Sequence, residues 1–157
     1  MGKNIEIMNE DRVFVLTRIF DAPIEMVFDA WTKPEQIVHW WGRHPLNLPF
    51  CEVDLRPGGT FQICMRTTSG HEYRAKGIYQ EILPPFLISC VYAFRDEEGG
   101  YETLTTLSFE KIHDKTKLTI HQVVLDPNKA GRGPEEDWFE SFDRLANYLK
   151  KVSRRSR

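Results

Sequence analysis

The chain of 157 residues has a length typical of one domain, with an ordinary globular content of 41% hydrophobic and 28% charged residues. Its formal net charge of −2 lacks the strongly basic field of nucleic-acid-binding proteins, so we expect no nucleic-acid partner. No apolar run reaches the roughly 18 residues of a membrane span, and the polar start lacks the apolar centre of a signal peptide. Three cysteines without a Cys-x-x-Cys spacing favour free thiols in a cytoplasmic protein.

The N-terminal part predicts one strand followed by two short helices. Residues 12–20 are β-branched and aromatic, which is typical of a strand. Pro23 suits the first position of a helix, and the apolar residues after it share one face at helical spacing. That face contains Ile24, Val27, Phe28 and Trp31. A Thr-x-x-Glu capping box at Thr32 and Glu35 predicts the start of the second helix, which we expect to end at Gly42.

From residue 50 the pattern changes to an alternation of apolar and polar residues, which predicts strands with one buried face. Turns rich in proline and glycine separate these segments, so we expect successive strands to pair antiparallel. The predicted strands are 50–56, 61–66, 72–83, 86–94, 101–110 and 116–124. Gly77 is interpreted as a bulge within one of them.

The last segment has the clearest helical period. Its apolar residues recur at intervals of four, three, four and three, which predicts a helix of roughly 134–152 with one apolar stripe. They are Trp138, Phe142, Leu145, Leu149 and Val152. We expect this stripe to cover an antiparallel sheet of six or seven strands. The predicted single domain spans residues 12–152, with 1–11 and 153–157 as flexible termini.

Three stretches of the sequence resemble the family of homologues of the activator of heat shock protein 90 ATPase. They are RIFDAPIEMVFDAWTKPEQIVHWWG, the pair CEVDLRPGGTFQICMR and EYRAKGIYQEILPP, and the tryptophan and FDRLANYL of the last helix. The resemblance implies a START-like (SRPBCC) helix-grip fold of the α+β class. In that fold a curved antiparallel sheet wraps a long C-terminal helix, often with a hydrophobic cavity between them. Arg43-His44-Pro45 departs from the family, where a proline often follows Trp-Trp-Gly, so the loop over the cavity mouth is expected to differ.

The adjacent Trp40 and Trp41 could both pack in the core, or one of them could form part of the wall of a ligand cavity. Neighbouring residues on a helix point about 100° apart, so the two rings cannot face the same direction. One is expected in the core, and Trp41 is expected at the cavity entrance with residues 42–49 as its rim. Packing alone for both rings stays open as the alternative.

The other candidate ligand-binding residues are bulky or hydroxyl-bearing side chains on the predicted strands and the last helix. They are Phe61, Met65, Tyr79, Tyr92, Thr105, Trp138 and Phe142. Apolar walls with a few hydroxyl groups are typical of a small-molecule site. A completely filled core would use the same residues, so both interpretations stay open.

The sequence contains no motif for catalysis or metal binding. Its five histidines show no paired-ligand spacing, and no serine or cysteine lies in a recognisable nucleophile motif. We therefore predict no catalytic residues, no metal and no cofactor. Asp54 and Arg56, which share a strand face, are interpreted as a structural ion pair, and mid-strand His121 is expected to face solvent.

Relatives with this fold include lipid and hormone carriers, polyketide cyclases and co-chaperone domains, so the fold does not decide the function. The favoured function is binding of a small apolar or aromatic molecule, as a non-catalytic carrier or sensor. A polyketide cyclase-like enzyme and a co-chaperone-like interaction module with a chaperone contact are the alternatives. A homodimer through an exposed tryptophan or a sheet edge is also left open.

Overall fold

The computed structural model describes residues 6–9, 13–42, 47–96, 99–125 and 135–155, and within them the chain forms eight strands and three helices. The strands are β1 (Glu6–Asn9), β2 (Val13–Phe20), β3 (Asn47–Val53), β4 (Thr60–Arg66), β5 (Glu72–Leu83), β6 (Leu87–Asp96), β7 (Gly99–Ile112) and β8 (Lys115–Val124). The helices are α1 (Ile24–Thr32), α2 (Pro34–Ile37) and α3 (Glu135–Arg155). No helix among these residues combines the length and the hydrophobicity needed to cross a membrane.

All described strands belong to one antiparallel sheet in the order β1-β2-β8-β7-β6-β5-β4-β3. From β3 to β8 each strand pairs with the next one along the chain, and β2 then pairs with β8. The curved sheet stays open, because its edge strands β1 and β3 do not pair with each other. The predicted helix-grip architecture is confirmed.

The sheet has one strand more than the six or seven that the sequence predicts. Residues 6–9, expected to belong to a flexible terminus, form β1, in which Ile7 lies opposite Leu16 of β2. A four-residue strand shows too short an alternation to be read from the sequence, and it gains its order from pairing with β2. The next difference is smaller: β3 begins at Asn47, three residues before the predicted start.

The long helix α3 covers the inner face of the sheet along its predicted stripe. Trp138, Phe142, Leu145 and Leu149 are at most 4% exposed. The ring of Phe142 lies 5.7 Å from that of Phe20 on β2. Close by, the guanidinium of Arg18 on β2 pairs with Asp143 at 2.6 Å. The helix is therefore fixed to the sheet by apolar burial and by one partly buried ion pair.

The predicted capping box at the start of α2 is wrong. Thr32 is the last residue of α1, and its hydroxyl donates to the carbonyl of Phe28 at 3.0 Å. Lys33 precedes α2 and provides no side-chain cap. Threonine often bonds back to the carbonyl four residues earlier, and this local bond takes the place of the predicted cap.

Gly77 does not form a bulge. It pairs regularly with Phe61 of β4 and Tyr92 of β6, and the irregularity in β5 lies between Tyr79 and Glu81. A Cβ atom at Gly77 would overlap the ring of Phe61. The glycine is thus required because the aromatic ring of the neighbouring strand lies across it.

Candidate ligand-binding site

The inner face of the sheet and the three helices enclose a small cavity. Thirteen residues line it, and none of them is charged. They are Trp31, Ile37, Trp41, Phe61, Ile63, Tyr79, Ile88, Cys90, Tyr92, Thr105, Leu107, Ile120 and Trp138. Its volume of about 30 Å³ matches the share of one molecule in liquid water. Sites for small molecules usually measure roughly 300–1,000 Å³, so these side chains fill nearly all of the space.

Trp31, near the end of α1, is the centre of an aromatic cluster. Its ring centroid lies 4.6 Å from that of Trp40, 5.7 Å from that of Trp138 and 6.2 Å from that of Trp41. All four tryptophans of the chain therefore meet in one cluster. The pairs with Trp40 and Trp41 are edge-to-face and the pair with Trp138 is stacked, and rings in such arrangements attract each other beyond the gain from burial. The cluster thereby joins α1 and the turn after α2 to α3.

The adjacent tryptophans occupy different environments. Trp40 is 0% exposed, its indole N–H donates to the carbonyl of Ala30 at 3.0 Å, and it is not part of the cavity wall. Trp41 belongs to the wall, with its ring 5.3 Å from Trp138 and 6.2 Å from Tyr92. Trp40 thus packs in the core and Trp41 contributes to the cavity wall. The predicted helix end at Gly42 is wrong, because α2 ends at Ile37 and both tryptophans lie in the turn that follows it.

The backbone that carries Trp41 is bonded to α3. Arg144 donates to the carbonyl oxygens of Trp41 at 3.0 Å and of Gly42 at 3.2 Å. Burial lowers the pKa of Arg144. The amide of Gly42, a residue with a positive φ of 86°, donates to the hydroxyl of Ser141 at 3.1 Å. Any motion of Trp41 is therefore expected in its side chain before its backbone.

Only part of the predicted rim, residues 42–49, can be compared with the structure. Gly42 ends the turn after α2, and residues 47–49 begin strand β3. Residues 43–46, which include His44 and Pro45, lie outside the described residues.

Six of the eight ligand-binding residues suggested by the sequence lie in the cavity wall. They are Trp41, Phe61, Tyr79, Tyr92, Thr105 and Trp138. Met65 and Phe142 are also buried, at 2% and 1% exposed, but they belong to the surrounding core. Their role toward a ligand is a prediction for all eight.

Sequence reasoning missed seven wall residues, of which Trp31 is the most informative. The other six are Ile37, Ile63, Ile88, Cys90, Leu107 and Ile120. Trp31 completes the apolar face of α1 and therefore reads as ordinary packing. Trp31 lies on the last turn of α1, close in sequence to Trp40 and Trp41. Three indole rings so close together indicate an aromatic wall, and this is the signal that could have identified Trp31.

A chain of buried hydrogen bonds connects two wall residues, Trp138 and Thr105, through Gln122. The indole N–H of Trp138 donates to Oε1 of Gln122 at 3.1 Å, and Nε2 of Gln122 donates to the hydroxyl of Thr105 at 3.0 Å. The hydroxyl groups of Thr105 and Thr103 lie 2.6 Å apart. All four side chains are at most 4% exposed. The amide of Gln122 is thereby satisfied inside the core, as buried polar groups require.

The indole N–H of Trp31 is the exception. Trp31 is 6% exposed, and among the described residues its Nε1 is the buried side-chain nitrogen or oxygen that finds no hydrogen-bond partner. A buried donor without an acceptor costs about 1–3 kcal/mol. One residue of the uncharged cavity wall therefore carries an unused hydrogen-bond donor.

Two titratable groups of the cavity wall, Cys90 and Tyr79, are held neutral by burial. Burial raises the pKa of Cys90 to about 12, and it raises the pKa of Tyr79 well above its usual value, with smaller contributions from Cys90, Cys51 and Asp54. Cys51, nearby on β3, has its pKa raised to about 11 by burial and then by Glu35. Neutral thiols and phenols are weak nucleophiles and weak bases near pH 7. The Cys90 thiol and the Tyr79 phenol therefore stay protonated near pH 7.

Outside the cavity, the other candidate groups behave as surface residues. Asp54 and Arg56 form the predicted ion pair at 2.9 Å, with both side chains exposed. His121 faces solvent, as its position in the strand predicts. Within the described part of the chain, no three His, Cys, Asp or Glu side chains are placed to hold a metal ion.

A sequence model of the family described as Activator of Hsp90 ATPase homolog 1-like protein matches residues 21–150 of the chain. None of the curated proteins compared with the chain matches it.

Solved structures share the fold over nearly the whole chain. A protein from Arthrobacter aurescens is 22% identical with a TM-score of 0.81, and the match covers 93% of this chain and 91% of that one. A protein from Chromobacterium violaceum is 24% identical with a TM-score of 0.79, covering 89% of this chain and 98% of that one. A protein from Rhizobium leguminosarum is 26% identical with a TM-score of 0.73, and the match covers 96% of this chain and 99% of that one.

Proposed function

The chain belongs to the family described as Activator of Hsp90 ATPase homolog 1-like protein, and we propose that it binds a small apolar or aromatic molecule between the sheet and α3. It acts as a carrier or sensor that leaves its ligand chemically unchanged and uses no cofactor. The uncharged wall of the cavity supports this function, since apolar walls with few polar groups are typical of small-molecule sites. The proposed location is the cytoplasm, in keeping with three free cysteines.

The observation that carries the proposal is the unpartnered indole N–H of Trp31 in the cavity wall. A ligand oxygen of the carbonyl, ether or phenol type would accept this hydrogen bond and remove the cost of the buried donor. The surrounding rings favour a flat apolar body beside that oxygen. The proposed ligand is therefore a flat, uncharged molecule with one hydrogen-bond acceptor.

Binding requires the cavity to expand. Its volume of about 30 Å³ is well below the ~150 Å³ of a cavity that accommodates benzene. Trp41 is the wall residue proposed to move, because it lies beside the turn at Gly42 while Trp40 is completely buried. Rotation of the Trp41 side chain leaves its backbone bonds to Arg144 intact.

The proposal is tested with two probes, 2-naphthol and naphthalene, which differ by one oxygen. Calorimetric titration of the unmodified protein and of the Trp31→Phe variant gives four affinities. Because the phenylalanine keeps an aromatic ring but lacks the N–H, 2-naphthol is expected to bind the variant roughly 2–10-fold more weakly. Naphthalene is expected to bind both proteins alike. Equal losses for the two probes would show that Trp31 acts by packing alone, and absence of binding by either probe would contradict the function.

The nearly filled cavity favours one other function, that of a co-chaperone-like interaction module which uses its outer surface. Such a module needs no internal space and has a chaperone as its partner. It predicts that neither probe binds, while the protein shifts the sedimentation of a purified chaperone of the heat shock protein 90 type. A homodimer would appear in the same centrifugation experiment as a concentration-dependent increase in mass.

A further inference from the structure

The outer face of the sheet, on the side away from α3, contains a much larger groove. Its volume is about 550 Å³, within the roughly 300–1,000 Å³ of small-molecule sites. Residues of β3, β4, β5 and β6 line it. They include Phe50, Cys64, Glu72, Arg74, Lys76 and Arg95. The groove shares only Ile63 with the internal cavity, which lies on the opposite face of the sheet.

Short side chains between long ones make this face concave. Strand pairing places Cys64 between Phe50 of β3 and Arg74 of β5, and Arg74 lies opposite Arg95 of β6. Side chains paired in this way project from the same face about 5 Å apart. Cys64 is 9% exposed and forms the floor, whereas Phe50 is 46% exposed and forms one wall. The groove therefore offers an aromatic ring beside an apolar floor.

The groove also concentrates positive charge. Four cationic side chains and one carboxylate line it, in a protein whose formal net charge is −2. The carboxylate of Glu72 already pairs with Arg66 at 2.6 Å and with Arg74 at 3.4 Å. Among the described residues, no ion pair or hydrogen bond of the side chain involves Lys76 or Arg95. These two cations are available to an anion.

We infer that this groove binds a small organic anion in which a flat apolar body carries a carboxylate. The body lies on Cys64 against the exposed ring of Phe50, and the carboxylate meets Arg95 and Lys76. A guanidinium matches a carboxylate with two parallel hydrogen bonds, and an ammonium adds an adaptable point charge. This site is independent of the internal cavity, whose wall is uncharged and suits a neutral ligand.

The test uses 2-naphthoate as the probe and 2-naphthol as its uncharged counterpart. Amide shifts in a ¹H–¹⁵N spectrum are expected from 2-naphthoate in residues 62–66, 72–76 and 93–95. The double variant Lys76→Glu/Arg95→Glu is expected to weaken 2-naphthoate binding at least about tenfold. Because neither side chain has an acidic partner, this variant leaves no carboxylate unpaired.

A matched control makes the same charge change elsewhere. Lys111→Glu/Lys115→Glu alters two exposed cations near the β7–β8 turn and is expected to change the affinity less than about twofold, since distant surface charges are screened by salt. Loss of affinity in both double variants alike would overturn the site, as would equal shifts from 2-naphthol in the same residues. Absence of 2-naphthoate binding up to about 5 mM would also overturn it. Binding of an acidic peptide in the groove without binding of 2-naphthoate would replace the small anion by a peptide and refute the inference.

Discussion

Replacing Gly77 by alanine is expected to destabilise the protein, although alanine is normally the better residue in a strand. Gly77 has no positive φ, so its backbone suits any residue, and the change should gain about 0.5–1 kcal/mol from the stiffer unfolded chain. Against this gain, the new Cβ would overlap the ring of Phe61. Adding a methyl group to a packed core costs about 1–3 kcal/mol. Subtracting the gain from the cost leaves an expected net loss of up to about 2.5 kcal/mol.

The loss is expected to come from the displaced ring. The ring of Phe61 lies 5.4 Å from Tyr79, 6.1 Å from Tyr92 and 6.4 Å from Trp41, all in the cavity wall. Phe61→Leu shortens the side chain, so alanine at Gly77 should then fit and stabilise the protein. In a double-mutant cycle the coupling between the two positions should reach about 1–3 kcal/mol.

Urea denaturation of the four proteins, followed by circular dichroism, measures both quantities. Equal m values would show that the change lies in stability and not in the compactness of either state. If Gly77→Ala stabilises the unmodified protein and the Phe61→Leu variant equally, the ring does not lie across Gly77 and the reasoning is refuted.

Two further predictions concern buried polar and titratable groups. Gln122→Leu removes the acceptor of the Trp138 N–H, so the free energy of unfolding measured in urea should fall by about 1–3 kcal/mol. A loss below about 0.5 kcal/mol, which is the usual effect of a surface substitution, would contradict this role of Gln122. Cys90 keeps its proton in the folded state up to a pKa of about 12, whereas an unfolded thiol loses it near pH 8.5. The contribution of Cys90 is thus fully present below about pH 8.5 and falls as the pH rises toward 12, so urea denaturation at pH 8 and pH 10 should show a steeper decline than in Cys90→Ala. Identical declines in the two proteins would contradict the burial of this thiol.

The elements with a strong period could be predicted from the sequence. The stripe on α3 and the alternation in β4 to β8 each contain enough repeats to be recognised, and the three family-like stretches add the helix-grip arrangement. The short strand β1 could not be predicted, because its order depends on β2. The roles of Thr32 and Gly77 depend on single contacts, with the Phe28 carbonyl and the Phe61 ring, that no local pattern shows.

The residue types that line the candidate site could be predicted from the sequence, but the volume of the cavity could not. Alternation and helical period identify which side chains face inward, which is why six of the eight suggested residues line the cavity. The volume left between them depends on how the rings interlock, and shifts below 1 Å decide it. The unsatisfied donor of Trp31 is likewise a property of the packed cluster.

The indole region of the ¹H–¹⁵N spectrum, recorded during titration with 2-naphthol, tests the proposed ligand site most directly. Four tryptophans give four indole signals, assigned with single Trp→Phe variants. The expected result is a saturable shift of the Trp31 signal to higher ¹H frequency, as its N–H gains an acceptor, together with shifts of Trp41 and Trp138. The Trp40 signal should move least, because Trp40 is not part of the cavity wall and its N–H is already bonded to Ala30. If 2-naphthol leaves the Trp31 signal in place at saturation, or shifts only residues on the outer face of the sheet, the internal ligand site is contradicted.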